Sequence, residues 1–402
     1  MKKNGLARQM TSIVLASTLV IAATPCASWA QGSLSETNGA VEVASLDPAA
    51  PQDDADYSVT GWCGHAPDRY YTAARAALFP NDGVIIVSGE NFPDALAASG
   101  LAGLLGYGLL YTPSQGVGEV ALTQISGNKI ANVLIVGGSA VVSEEMERAV
   151  SDLPSVTSVT RISGSDRYAT AEAVYRYGAS VRGWDNSNAV VVSGEGFADA
   201  ATASVYAARE AAPVFLAAGD GLLSKSSFDL ASSFSHVLVA GGDAVVSDET
   251  VDRLSRKSSV DRFDGSDRYE TSTKICAYLA SSGDDSASGQ GDFSYERIYF
   301  VTGSDFADAL AYGTNVGMAV RWPNSGYNYG SESCPVFMLV DNGKISYALD
   351  LLKPVGTYCD DEKKIKRFNR IAFIGGSRLD FENTTLPLAN GFGVSCEFLD
   401  GE

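Results

Sequence analysis

Three arginines, Arg69, Arg167 and Arg268, stand in the same setting. Each follows an aspartate (Asp68, Asp166, Asp267) and precedes a tyrosine (Tyr70, Tyr168, Tyr269), with a threonine two places further on (Thr72, Thr170, Thr271). They are 98 and 101 residues apart. A guanidinium is permanently charged, and its planar fork of donors matches a carboxylate or phosphate in two parallel bonds. One fork per unit is a way to hold a repetitive anion. The same residues also have a purely structural reading, in which Asp caps a helix, Arg pairs with a carboxylate of a neighbouring unit, and Tyr packs. A second recurring phrase carries Asp94, Asp199 and Asp308 in the pattern Phe-x-Asp-Ala. These carboxylates either favour a first helical turn or receive an arginine from the next unit. A third phrase is a glycine pair, Gly137-Gly138, Gly241-Gly242 and Gly375-Gly376, each after an apolar run. Backbone N–H groups there could face an anion. The dinucleotide and phosphate-loop glycine patterns are absent, so a tight strand-to-helix turn is the better explanation.

Three phrases in one order at one spacing imply one structural unit copied in tandem, about a hundred residues per copy, each large enough to be a small domain. In the middle copy the β-rich runs are Val190–Ser193, Pro213–Leu216, Val237–Ala240 and Val156–Ile162, with helical segments at about 166–180, 198–210, 224–233 and 247–255. The first copy keeps strands at Gly83–Ser88, Leu109–Thr112 and Asn132–Val136. Unbroken apolar runs alternating with helices describe an α/β fold whose parallel sheets are covered on both faces. Ser165 with Asp166, and Ser266 with Asp267, are good caps for the helix that carries the arginine. The third copy is longer by Ser282–Tyr295, Pro323–Ser333 and Thr357–Arg367, which read as surface loops.

The chain of 402 residues has a net charge of −19 and a pI near 4.5. That argues against nucleic acid as a partner and against general attraction to anionic membranes. Lys2, Lys3 and Arg8, the apolar run Ile13–Ala23 and the small residues of Ser28-Trp29-Ala30 make residues 1–30 an export signal, cleaved after Ala30. Loss of those three positive charges takes −19 to −22. Residues 31–60 read as a disordered spacer, and the modules as 61–159, 160–259 and 260–402. After the signal no further apolar segment reaches spanning length and no sorting signal closes the chain, so retention on a cell is expected to be non-covalent. The two histidines, His65 and His236, occupy non-equivalent places outside any triad or metal motif. Neither metal, cofactor nor catalysis is expected.

The combination of Asp-Arg-Tyr-x-Thr, Ser-Gly-x-x-Phe-x-Asp-Ala and strand-Gly-Gly-x-Ala-Val-Val-Ser resembles the cell wall binding repeat 2 family of Gram-positive cell-surface proteins, over roughly residues 65–402. The resemblance implies Toprim-like α/β modules, three of them packed as a pseudo-trimer. It implies a secreted, non-catalytic monomer at the cell surface, held on an anionic wall polymer, a teichoic-acid-like chain or a secondary wall polysaccharide. Arg69, Arg167 and Arg268 are the ligand-binding candidates, with Asp68, Asp94, Asp166, Asp199, Asp267 and Asp308 as helix-start or seam carboxylates. The pattern departs at His65-Ala66-Pro67 and at Ser304, which stands where Glu90 and Glu195 stand in the other copies. A surface adhesin or structural wall protein, or an enzyme that modifies the wall, is the alternative. Wall pull-down separates the first and hydrolysis of wall material the second.

Beyond the signal the chain keeps five cysteines, an odd number for an oxidising setting. The stretch Val394–Gly401 echoes Ser259–Gly265, the run that joins one unit to the next. If the units close into a ring, this last strand returns to the start of the first unit, and Cys396 is expected to meet Cys63. Cys334 and Cys359 border two insertions and are the second candidate pair, which leaves Cys276 as the odd thiol.

Overall fold

The structure is a computed structural model that describes residues 40–45, 58–64, 68–197, 199–281, 293–322, 334–341, 344–346, 370–374 and 394–398. The expected export signal, the Thr357–Arg367 insertion, Cys359, His65 and Gly375-Gly376 lie outside them, as do the other two insertions except for Phe293–Tyr295.

Two strands come first, β1 (Ala40–Ser45) and β2 (Ser58–Gly64). The first module then runs α1 (Arg69–Ala76), β3 (Gly83–Ser88), α2 (Phe92–Leu105), β4 (Gly108–Thr112), α3 (Glu119–Gly127), β5 (Asn132–Val136), α4 (Glu144–Ser151) and β6 (Ser158–Ile162). The second repeats it as α5 (Arg167–Val181), β7 (Asn188–Ser193), α6 (Ala200–Glu210), β8 (Val214–Ala217), α7 (Lys225–Ala231), β9 (His236–Ala240), α8 (Asp248–Leu254) and β10 (Ser259–Phe263). The third comprises α9 (Arg268–Ser281), β11 (Phe293–Thr302), α10 (Phe306–Arg321), β12 (Cys334–Val340), β13 (Arg370–Ile374) and β14 (Val394–Phe398).

The first two sheets are parallel throughout, in the orders β4-β3-β5-β6 and β8-β7-β9-β10. The run ending at Ile162, expected in the sheet of the middle copy, is therefore the fourth strand of the first. Its backbone pairs with β5 from Asn132↔Ser158 to Val136↔Ile162. The third sheet has the order β12-β11-β13-β2-β1-β14, and β2 is parallel to β13, in the position that β6 and β10 hold in the other sheets. The chain thus closes through its beginning rather than its end. Residues 40–45 and 58–60, expected to be disordered, are drawn into a sheet: the edge of β13 gives β2 its backbone partners, and β2 and β14 give β1 its own. β1 lies between β2 and β14, so Cys63 and Cys396 stand two strands apart, roughly 10 Å at ordinary strand spacing. A disulfide needs Cα atoms within about 7 Å, so this register does not bring the pair together.

The long helices α2, α6 and α10 pack against one another, and their small residues let them approach closely. A Cβ added at Gly100 would stand 1.9 Å from the carbonyl oxygen of Ala212, and one at Gly103 the same distance from that of Ala208. At the helix starts the rings of Phe92, Phe197 and Phe306 form a triangle with centroids 6.0–6.3 Å apart. Polar bonds also cross between modules: the Tyr111 hydroxyl donates to the Ala307 carbonyl at 3.0 Å, Trp322 Nε1 to that of Gly103 at 2.9 Å, and the Thr202 hydroxyl to Ser272 at 2.8 Å. One continuous apolar core contains residues of all three modules.

Candidate functional site

The Asp-Arg-Tyr-x-Thr phrase starts α1, α5 and α9, and each residue has an assigned contact. The aspartate, not the preceding serine, caps the helix. Asp68 accepts from the N–H groups of Tyr70 and Tyr71 at 2.9 and 3.0 Å, Asp166 from Ala169 at 2.8 Å, and Asp267 from Tyr269 and Glu270 at 3.1 Å. The threonine hydroxyl closes the entry loop where a glycine precedes the cap, accepting from Gly164 and Gly265 at 3.1 and 3.0 Å.

The arginine reaches along the carboxyl edge of its own sheet. Arg69 and Arg268 each donate to a glycine carbonyl at 2.6 Å, on Gly89 and Gly303 respectively, and Arg167 donates likewise to Gly194. The rest of each guanidinium lies against the preceding module, in a cycle. Arg69 pairs with Asp305 at 3.1 Å and stands 5.6 Å from the Phe306 ring centre. Arg268 stands 5.1 Å from the Phe197 ring centre, and its charge favours the ionised form of Asp199. Arg167 does the same for Asp94 and approaches Glu195 of its own module at 3.6 Å. Arg69 and Arg167 keep about a third of their side-chain surface in solvent, 29% and 35%.

Asp94 sits in the first turn of α2 and Asp199 at the cap position of α6, each within the field of one of these guanidinium groups. Burial pushes Asp94 up to about 6, with Arg167 opposing the shift. Asp199 is also raised by burial, against the Thr271 hydroxyl and Arg268. Asp308, the equivalent in the third module, is not the direct partner of Arg69. That partner is Asp305, which caps α10 by accepting from the Ala307 N–H at 2.9 Å and stands where Asn91 and Gly196 stand in the other copies. Its signal in the sequence is an acid just before the phrase's phenylalanine, a position at which the three copies disagree.

The tyrosine ring lies over the glycine whose carbonyl the arginine binds. A Cβ at Gly89, Gly194 or Gly303 would come within 2.6–2.8 Å of the Tyr70, Tyr168 or Tyr269 ring. The hydroxyls then reach a carboxylate: Tyr70 to Glu90 at 3.4 Å, Tyr168 to Glu195 at 2.5 Å and Tyr269 to Asp341 at 2.6 Å. Burial, then the Glu195 hydrogen bond, pushes the Tyr168 phenol up to about 12. In the third module Ser304 removes the glutamate, and Asp341 at the end of β12 supplies a carboxylate in its place, also accepting from the Thr302 hydroxyl at 2.9 Å. Sequence alignment of the copies misses this residue because it comes from a different strand.

The glycine pair is a turn. Gly137 and Gly241 hold φ near +119° and +116°, a region open to glycine. Their N–H groups are taken by the carbonyls of Ile162 and Phe263, so they do not face a ligand. A Cβ at Gly137 would meet the Asp94 carboxylate at 2.7 Å. His236 lies at the other edge of its sheet, with Nε2 2.9 Å from Asp261 and Nδ1 3.1 Å from the Tyr206 hydroxyl. Among the described residues no group of three or more His, Cys, Asp or Glu side chains could hold a metal ion, and no helix is long and apolar enough to cross a membrane.

Fold and site together define a protein built of α/β modules with parallel sheets, each presenting the same arginine–glycine–tyrosine arrangement at its carboxyl edge. Residues 65–147 and 161–251, the first two modules, match the family described as Cell wall binding domain 2 (CWB2). It is 30% identical over 263 residues to the amidase enhancer of Bacillus subtilis (strain 168), which is 63% of this chain and 34% of that protein. To N-acetylmuramoyl-L-alanine amidase LytC of the same organism it is 29% identical over 232 residues, 57% of this chain and 42% of that one. The chain thus spans well under half the length of these relatives. Among solved structures, Cwp8 and Cwp6 from Clostridium difficile superpose with TM-scores of 0.63 at 20% and 17% identity. They cover 81% and 85% of this chain, which covers 51% and 49% of them. The likeness is one of fold.

Proposed function

We propose that this chain is a secreted, non-catalytic protein that holds itself on the bacterial cell wall by contacting an anionic wall polymer at three equivalent sites. The observation that carries the reading is the triple recurrence of one arrangement at the carboxyl edges of the sheets: a guanidinium, a glycine carbonyl and a tyrosine–carboxylate pair. Carboxyl edges are where open parallel sheets present ligand groups. Each arginine commits one N–H to a glycine carbonyl and Arg69 a second to Asp305, and the N–H groups left facing solvent are the donor set for a phosphate or carboxylate of the polymer. The modules are of the Toprim-like kind and act as a pseudo-trimer in a single monomeric chain. The chain's acidic field repels a polyanion at long range, but salt near physiological strength screens it beyond about 8 Å, so contact-range arginines decide.

The test is retention on purified walls from Gram-positive cells. Single Arg→Ala changes at Arg69, Arg167 and Arg268 should weaken retention, the triple change should abolish it, and raised salt should loosen it. A triple variant that folds and binds walls as before refutes the assignment of the arginines. Release of soluble fragments by the wild-type chain would replace the non-catalytic reading with an enzymatic one.

A further inference from the structure

The helices α2, α6 and α10 carry the phenylalanine triangle at their starts, and their other ends converge on a second feature. There a cavity of about 190 Å³ is lined by Leu104, Arg182, Gly183, Asp185, Ala211 and Arg321. The first module contributes the end of α2, the second the turn after α5 and the residue that closes α6, and the third the end of α10. At 1.5 Å per residue, α2 alone puts about 20 Å between this cavity and the arginines of the proposed wall site.

The charges around the cavity do not cancel. Arg182 and Arg321 have no carboxylate partner among the described residues. The Arg182 guanidinium lies 5.7 Å from the centre of the Trp322 ring, and Arg321 gives one N–H to the carbonyl of Arg209 at 3.2 Å. Glu210 pairs with Arg209 at 3.2 Å, and Asp185, which also lines the cavity, keeps its charge while accepting from the N–H of Ser187 at 2.9 Å, so the lining carries two cations to one anion. The lining backbone is also held out of its ordinary range, with Ala211 in the left-handed conformation at φ 50°. That region costs a non-glycine residue about 1–2 kcal/mol, and glycine, Gly106, closes the equivalent helix in the first module. Two guanidinium groups without a carboxylate partner among the described residues line one cavity, in a chain whose net charge is −19, and make a local site of the opposite sign.

We propose that this junction cavity binds a small oxyanion, a phosphate or carboxylate group held between Arg182 and Arg321. Because all three modules line it, an occupied site clamps the ends of the three central helices together. A ligand that binds only the assembled form raises its stability in proportion to RT ln(1 + [L]/Kd).

The test uses the full chain, with inorganic phosphate and acetate as probes against chloride at equal ionic strength. Melting temperature and the guanidinium Nε–H resonances of Arg182 and Arg321 are followed together. Phosphate is expected to raise the melting temperature saturably and to move both resonances. Loss of a charge-assisted hydrogen-bond pair in Arg182→Ala should raise the apparent Kd by roughly tenfold or more. The charge-conserving pair Arg182→Lys with Arg321→Lys guards against simple unfolding: it should melt as wild type in chloride yet lose most of the phosphate shift, because lysine lacks the planar fork. Soluble wall-polymer fragments that move the same resonances would identify polymer groups as the source, and silence with fragments would leave the free ion. A phosphate effect of equal size in wild type and in the double lysine variant overturns the proposal, as does the absence of any saturable effect in wild type. Wall retention is read in parallel and should be unchanged in the lysine variant.

Discussion

Replacing Arg167 with alanine tests what the recurring arginine does when no ligand is present. The side chain contributes two separable terms. One is a hydrogen bond to the Gly194 carbonyl, charge-assisted and worth about 1.5–3 kcal/mol. The other is its field at Asp94, a buried carboxyl raised to about 6 chiefly by desolvation. At an effective dielectric of about 20, the field of a guanidinium about one-third exposed is worth about 1–2 kcal/mol at a nearby buried carboxyl after solvent screening. The two terms depend differently on pH. Asp94 titrates higher in the folded state than in the unfolded state, so ionising it opposes folding, and its contribution to stability is lost as pH rises through about 6. Arg167 softens that loss only while Asp94 is charged. The variant should therefore be about 3–4 kcal/mol less stable than wild type at pH 7.5, and the deficit should shrink by about 1–2 kcal/mol near pH 4.5, where only the carbonyl bond is missing. Denaturant melts of both proteins across that range measure it. A deficit that is constant with pH, or that grows on acidification, refutes the coupling between Arg167 and Asp94.

Four further outcomes follow from the same geometry. Asp94→Asn removes the ionisation and should raise stability at pH 7 by about 1–3 kcal/mol while flattening its pH dependence between about 4 and 7, as read by denaturant melts. Gly103→Ala places a methyl group against the Ala208 carbonyl and should cost about 2–4 kcal/mol through the contact between the first two modules, visible as a lowered melting temperature. Gly194→Ala forces the Tyr168 ring off its seat and should cost about 1–3 kcal/mol, with tyrosine fluorescence changed. Asp341→Ala should lower wall retention as much as Glu195→Ala does, and no loss with Asp341→Ala would remove the third module from the binding set.

Much of the module was readable because its signals are local. Unbroken runs such as Gly83–Ser88 and Asn132–Val136 are strands with those bounds, and Asp166 caps the helix that its spacing announces. What escaped is pairing over long range. The run ending at Ile162 has the same local character whichever sheet receives it, and hydrogen bonding to β5 decides for the first. Nothing within residues 58–64 says that they will lie beside Arg370–Ile374, more than three hundred positions away. Asp341 escaped for a related reason, since copy-by-copy comparison finds a missing glutamate at Ser304 but not its replacement from another strand. Gly100 and Gly103 of α2 escaped as well, because the carbonyls they face, Ala212 and Ala208, belong to the second module.

The cyclic placement of the arginines joins assembly to recognition. Arg69 leans on the third module, Arg167 on the first and Arg268 on the second, so each candidate site is built across a seam. A module by itself would have its arginine but not the Asp305 that pairs with Arg69 or the Asp94 and Asp199 carboxyls whose ionised forms Arg167 and Arg268 favour. Closure of the third sheet by β2 completes the cycle, because it ties the beginning of the chain to the module that Arg69 must meet. Three weak contacts on one rigid body gain avidity only if their spacing is held, and a flexible string of modules would lose much of that gain to linker entropy. Under the proposed function, the ring of seams would set the strength of wall binding as much as any single arginine does.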